Sequence, residues 1–206
     1  MAARELIVAI TGASGAVYAG RLLRALLQDG HHVHLVMSQY GRYLLTEELG
    51  YAPDAESILD FLNRLYGDGV RRGSLRQHRI GDLASPLASG SGRVHGMAVV
   101  PCSMKTLAGI AHGLSTNLIE RAADVTLKER RPLVLVPRET PLSLVHLRNL
   151  AAVAEAGGTL VPAMPAFYQR PVSFDDLGDF IAGRVLDVMG IEHELYPRWE
   201  GPSREP

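Results

Sequence analysis

The apolar run Leu133-Val-Leu-Val136 is fenced by prolines, and Arg138 and Glu139 stand side by side where it ends. Four buried residues need no such exit. An arginine beside a glutamate can neutralise an anion and move a proton at one place. Upstream, Arg121, Asp124 and Lys128 fall at i, i+3 and i+7, on one face of a helix. Alone, that face is a solvated stripe with an Asp124–Lys128 pair worth only a few tenths of a kcal/mol. Lys128 also ends the helix that feeds the Arg138 strand, so an oligomer could carry it toward a neighbour's site.

Two turns carry a second kind of chemistry. Thr11-Gly-Ala-Ser-Gly15 separates an apolar run from a helical pattern. Its backbone N–H groups and the Ser14 hydroxyl can meet a phosphate at a helix N-terminus. The turn is not G-x-G-x-x-G. The second strand ends in Ser38, where an adenosine ribose would call for an acid, so a mononucleotide such as FMN fits better than NAD. Pro101-Cys-Ser-Met-Lys-Thr106 is another strand-to-helix turn. Ser103 there has N-cap spacing, and a capping turn can also hold an anion. Cys102 has no local base and suits a small buried or pocket-lining position.

Two other patterns lead elsewhere. Of His31, His32 and His34, only the last two share a strand face, and no further ligand follows at metal-site spacing. Asp175-Asp-Leu-Gly-Asp179 matches the D-D-x-x-D of metal-dependent prenyl diphosphate enzymes. It follows Ser173, however, and a capped helix with acids in its first turn explains it better in a chain that is not all-helical.

The elements that must position these residues follow from periodicity. Short apolar runs predict strands at Leu6–Ile10, Val33–Met37, Met97–Val100, Leu133–Val136 and Thr159–Val161, with one more near Leu75–Ile80. Helices are predicted over Ala16–Gln28, Tyr40–Leu49, Ala55–Tyr66, Ser103–His112, Asn117–Arg130, Leu142–Ala156 and Phe174–Met189. The alternation gives an α/β fold: a Rossmann-like, doubly wound, mostly parallel sheet with helices on both faces. Such a sheet gathers ligands at the carboxyl ends of its strands. The strand exits here carry hydroxyls or charges, and the last, Pro162-Ala-Met-Pro-Ala-Phe-Tyr168, carries a tyrosine.

Composition fits one domain over residues 1–206, with a polar tail from about 193. The 206 residues are 47% hydrophobic and 21% charged, enough for a core. A formal net charge of −1 gives no electrostatic case for nucleic acid or an anionic membrane. No apolar run approaches the roughly 18–20 residues of a membrane span. One cysteine allows no internal disulfide, and cytoplasmic is the expected compartment.

TGASGA at 11–16, PCSMKTLA at 101–108, NLIERAADVTLKERRPLVLVPRETP at 117–141 and PAMPAFY at 162–168 resemble the UbiX/Pad flavin prenyltransferases. The likeness runs from about Leu6 to Trp199. It implies metal-independent transfer of a dimethylallyl group from dimethylallyl monophosphate to N5 and C6 of reduced FMN. The product, prenylated FMN, serves UbiD-type decarboxylases, and members assemble as homododecamers with sites between subunits. The flavin contacts it implies are Gly12, Ala13, Ser14, Ser38, Ser103, Met104, Lys105, Thr106 and Arg138. Lys128, Arg138 and Arg184, with Arg121 as a weaker candidate, meet the phosphate. Glu139 does acid/base work, and Ser14 orients flavin N5 or relays its proton. Tyr168 and Trp199 offer π faces to an allyl cation, and Tyr168 can also bond the phosphate. Ser89, Gly90 and Ser91 line the site from this subunit or another, and of the adjoining Glu47 and Glu48 the resemblance favours Glu48 as the acid after the second strand. Two alternatives stay open: an FMN-dependent cysteine decarboxylase-like flavoprotein, for which no P-x-M-N clamp is found, and a non-catalytic flavin-binding partner of a decarboxylase.

Overall fold

The structure, a computed structural model, describes residues 2–199 and 201; the rest of the expected polar tail lies outside the described residues. Six strands form one parallel sheet: β1 Glu5–Ile10, β2 His32–Met37, β3 Ser74–His78, β4 Gly96–Cys102, β5 Leu133–Pro137 and β6 Thr159–Leu160. Their order is β3-β2-β1-β4-β5-β6, the doubly wound arrangement expected. The central strands are buried on both faces, which is why they are continuous apolar runs. Leu6, Val8 and Ile10 of β1 pack with Leu22, Leu23 and Leu26 of helix α1 (Ala16–Gln28) and with Ile181 and Val185 of α7 (Phe174–Val188). Ile7 and Ala9 point the other way. They join Leu107 of α4 (Met104–Ala111), Ile119 and Ala122 of α5 (Leu118–Lys128) and Val153 of α6 (Leu144–Glu155).

Helices α2 (Gln39–Leu49) and α3 (Ile58–Tyr66) complete the first face. Helix α3 begins three residues later than the pattern predicts, because Ser57 caps it by accepting from the Asp60 N–H. Helix α5 ends two residues early. Arg130 takes φ 56, a left-handed conformation that stops the helix, and the Arg131 N–H returns to the Thr126 carbonyl. Ser173 caps α7 in a capping box with Asp176, so the acidic run is a helix start as expected. Asp175 and Asp179 instead hold Arg21 of α1, tying the two helices together.

The strand order reverses at β1, which pairs with β2 on one side and β4 on the other. Thr11 joins the β1 and β4 exits at that point. Its N–H and hydroxyl both donate to the Pro101 carbonyl, at 3.2 and 2.9 Å, and its hydroxyl oxygen accepts from the Ser103 N–H at 2.7 Å.

Candidate active site

The two turns meet at this reversal. Gly12–Gly15 leaves β1, and Gly15 enters α1 at φ 112, in the left-handed region that glycine favours. A Cβ on Gly12 would lie 2.6 Å from the Tyr40 Cβ, so the bare backbone lets α2 close against the turn. Ser38 caps α2 by accepting from the Gly41 N–H at 2.9 Å. Ser103 caps α4 by accepting from the Thr106 N–H and also donates to the Thr106 hydroxyl at 3.1 Å. Met104 is buried beneath this turn, while the Lys105 side chain is exposed.

The anion-binding amides are not all where the sequence puts them. The Glu48 carboxylate, at the end of α2, accepts from Gly15 N–H at 2.9 Å and Ala16 N–H at 2.7 Å. It therefore fills the dipole-favoured seat at the start of α1. At α4 the cap engages the Thr106 amide, so the first amides, on Met104 and Lys105, are orphans by helix geometry. These amides, the hydroxyls of Ser14, Ser38 and Thr106, and the bare Gly12 backbone suit a phosphorylated planar heterocycle. The set fits FMN.

Arg138 leaves β5 one residue beyond the Cys102–Pro137 pairing, and its Nε–H donates to the Ser14 carbonyl at 2.9 Å. Glu139 is exposed beside it, with one oxygen accepting from the Thr140 N–H. Tyr18 lies under Gly15. Burial raises its phenol pKa, and the Glu48 charge adds to that while Arg138 opposes it. Cys102 is wholly buried, which pushes its thiol up and makes it a packing residue.

Other predicted residues gather in two further places. Lys128 ends α5 at the edge where strands begin, opposite the Arg138 edge. It pairs with Glu129, and Arg121 pairs with Asp124 at 2.6 Å, so the expected Asp124–Lys128 pair is absent from this face. Ser89, Gly90 and Ser91 lie against the same end. Arg121 donates to the Ala88 carbonyl and Arg131 to the Gly90 carbonyl. Arg131 thus holds a loop, as its distance from the Arg138 edge suggests.

The third cluster surrounds α7. Tyr168 and Trp199 are 54% and 67% exposed and meet edge-on, with ring centroids 5.4 Å apart. Neither is a core residue. Arg184 donates to Asp187 at 2.9 Å. Asp187, His193, Tyr196 and Arg198 were not found by motif; the only sequence signal was the i, i+3 spacing of Arg184 and Asp187. Among the histidines, His34 on β2 pairs with His78 on β3 at 3.0 Å, and His32 pairs with Ser74. Among the described residues no helix is long and apolar enough to cross a membrane.

The doubly wound sheet and the phosphate-type turns at its reversal define a flavin-binding α/β protein, and the family model described as Flavoprotein matches residues 1–186. The flavin prenyltransferase UbiX of Halalkalibacterium halodurans is 48% identical over 198 residues, covering 96% of this chain and 94% of that protein. The crystal structure of AnUbiX in complex with FMN and dimethylallyl pyrophosphate superposes with TM-score 0.86 at 44% identity, covering 97% of this chain and 99% of that one. A dodecameric FMN-dependent UbiX-like decarboxylase from Escherichia coli superposes with TM-score 0.83 at 43% identity, covering 96% and 100%. The chain belongs to the UbiX family of flavin prenyltransferases.

Proposed function

We propose that the chain transfers the dimethylallyl group of dimethylallyl monophosphate to N5 and C6 of reduced FMN without a metal ion, and delivers prenylated FMN to a UbiD-type decarboxylase. The observation that carries the proposal is the Arg138–Ser14 bond, which joins the β5 exit to the β1 turn and leaves Glu139 open beside both. Gly12, Ala13, Ser14, Ser38, Ser103, Met104, Lys105, Thr106 and Arg138 would hold FMN at the sheet reversal. When bound, reduced FMN supplies the nucleophilic atoms that receive the allyl group.

Monophosphate is a poor leaving group at neutral pH, so the residues around it must supply charge and a proton. Arg138 and Arg184, with Lys128 and Arg121, neutralise its oxygens as the ester C–O bond weakens. Glu139 delivers the proton to the departing phosphate. Tyr168 and Trp199 turn aromatic faces toward the developing allyl cation and exclude water, and the Tyr168 hydroxyl bonds the phosphate. Ser14 holds the proton at flavin N5, and Glu48 fixes the turn that carries Ser14 by accepting from the Gly15 and Ala16 amides. Lys128, Arg121 and Ser89–Ser91 lie away from the Arg138 edge within one chain. They complete the site of a neighbouring subunit, which makes a homododecamer part of the chemistry. A cytoplasmic location fits this role.

The test is anaerobic incubation with reduced FMN and either dimethylallyl monophosphate or the diphosphate found in the AnUbiX complex. Mass spectrometry of the released flavin reads the added prenyl unit. No addition from either donor, with an active relative run alongside, refutes prenyl transfer. Addition from the diphosphate alone corrects the donor.

A further inference from the structure

Asp187 has no role in the chemistry above, yet it is the most heavily engaged carboxylate of the α7 cluster. It stands in the last turn of α7, one helical turn after Arg184. Its oxygens accept from Arg184 at 2.9 Å, the Tyr196 hydroxyl at 2.6 Å, Arg198 at 2.8 Å and His193 Nε2 at 3.2 Å. The His193 ring is oriented by its other nitrogen. Nδ1 accepts from the Leu195 N–H at 3.1 Å, so Nε2 carries the hydrogen aimed at Asp187. Burial alone would raise the Asp187 pKa. The hydrogen bonds from Tyr196 and Arg198, with the Arg198 charge, outweigh it and hold the carboxyl below its usual range.

The segment from His193 to Trp199 is laid flat on the helix. Gly183 makes this possible: a Cβ there would come within 2.6 Å of the His193 ring and closer still to the Tyr196 ring. From Tyr196 a continuous aromatic path runs back to Tyr168 and Trp199. Tyr196 packs on Phe180 with centroids 5.1 Å apart, Phe180 meets Tyr168 at 6.5 Å, and Tyr168 meets Trp199 at 5.4 Å. Gln169 adds a polar tie by donating to the Pro197 carbonyl at 3.0 Å.

We infer that Asp187 is a positioning residue: one carboxylate clamps the His193–Trp199 segment to α7 and sets Arg184 and Trp199 in fixed relation to each other. The roles of Arg184 and Trp199 rest on the prenyl-transfer proposal; the clamp itself does not. Two guanidiniums against one carboxylate leave a net positive charge at this place, suited to a phosphate ester. Without the carboxylate, Arg184 and the tail would lose their common anchor.

The test is Asp187→Asn, which keeps the volume and one acceptor oxygen but removes the charge. Trp199 is the only tryptophan of the chain, so acrylamide quenching of its emission reports on the clamp in flavin-free protein. Quenching should change in the variant. FMN affinity should stay within about twofold, since the flavin turns are held by other bonds. KM for dimethylallyl monophosphate should rise about tenfold or more, with a smaller change in kcat, because the lost bonds involve charged groups. Gly183→Ala is the second variant. Alanine favours the helix itself, so any change in Trp199 there comes from displacing the two rings. Quenching and donor KM both within about twofold of wild type in Asp187→Asn overturn the inference. If that variant does not fold, the same result in Gly183→Ala does so. If wild-type protein prenylates nothing, the prenyl-transfer proposal fails, and the quenching comparison still decides whether the clamp exists.

Discussion

Arg138→Lys separates charge from geometry at the proposed phosphate site. Arg138 makes one hydrogen bond among the described residues, from Nε to the Ser14 carbonyl at 2.9 Å. Its two terminal amino groups can then face a ligand while the guanidinium stays anchored. A lysine keeps the charge but has one nitrogen on a flexible stem, and cannot reproduce the fork. A hydrogen bond to a charged partner contributes about 1.5–3 kcal/mol, so kcat/KM for the monophosphate should fall about 10- to 150-fold. The fold should hardly notice. The lost bond is a single contact to backbone at a half-exposed position, costing less than about 1 kcal/mol, so Tm should drop by less than about 4 °C. Anaerobic single-turnover prenylation, followed by mass spectrometry, measures the first effect and thermal circular dichroism the second. A kcat/KM within about twofold of wild type would show that the fork is not used. A large Tm loss would show that Arg138 is mainly a structural brace.

Three further outcomes are expected. Glu48→Gln removes a negative charge from the start of α1, which should cost about 0.3–1 kcal/mol. That is a Tm drop of about 1–4 °C in low salt, shrinking in high salt, and equal Tm values in low salt would show that the carboxylate does not stabilise the helix. Glu139→Gln should keep FMN bound but slow the single-turnover step, since Glu139 is exposed and supports no other element; an unchanged rate removes it from the chemistry. The Cys102 thiol, buried and with its pKa raised, stays protonated and enclosed. A thiol reagent at about pH 8 should label it only after denaturant unfolds the chain, and rapid labelling of native protein would contradict that.

The strands and helices were legible because local pattern and tertiary burial agree. Leu6–Ile10 and Leu133–Val136 are apolar on both faces, as central parallel strands must be. The end of the Ala16–Gln28 helix is legible because Asp29-Gly30 breaks it and Gly30 takes φ 79. Helix ends set by one conformation were less visible: nothing in the residue types announces that Arg130 turns left-handed. The same limit applies at the site. Ser38, Ser103 and Arg138 stand at strand exits, where topology alone places them. Glu48 was legible as an acid near the second exit, but its hold on the α1 amides depends on how α2 lies across the turn. Asp187 was invisible because its partners His193, Tyr196 and Arg198 return from a segment with no regular period.

Thr11 has a consequence for how a ligand is received. By bonding Pro101 and Ser103 at once, it makes the β1 and β4 exits a single piece of backbone with a set gap between them. The work of bringing those two walls together is done during folding. A molecule spanning the gap need not draw them in, so its association loses little chain entropy. The entrance is correspondingly intolerant: a ring system or phosphate arm of the wrong length meets a calliper that has already been locked.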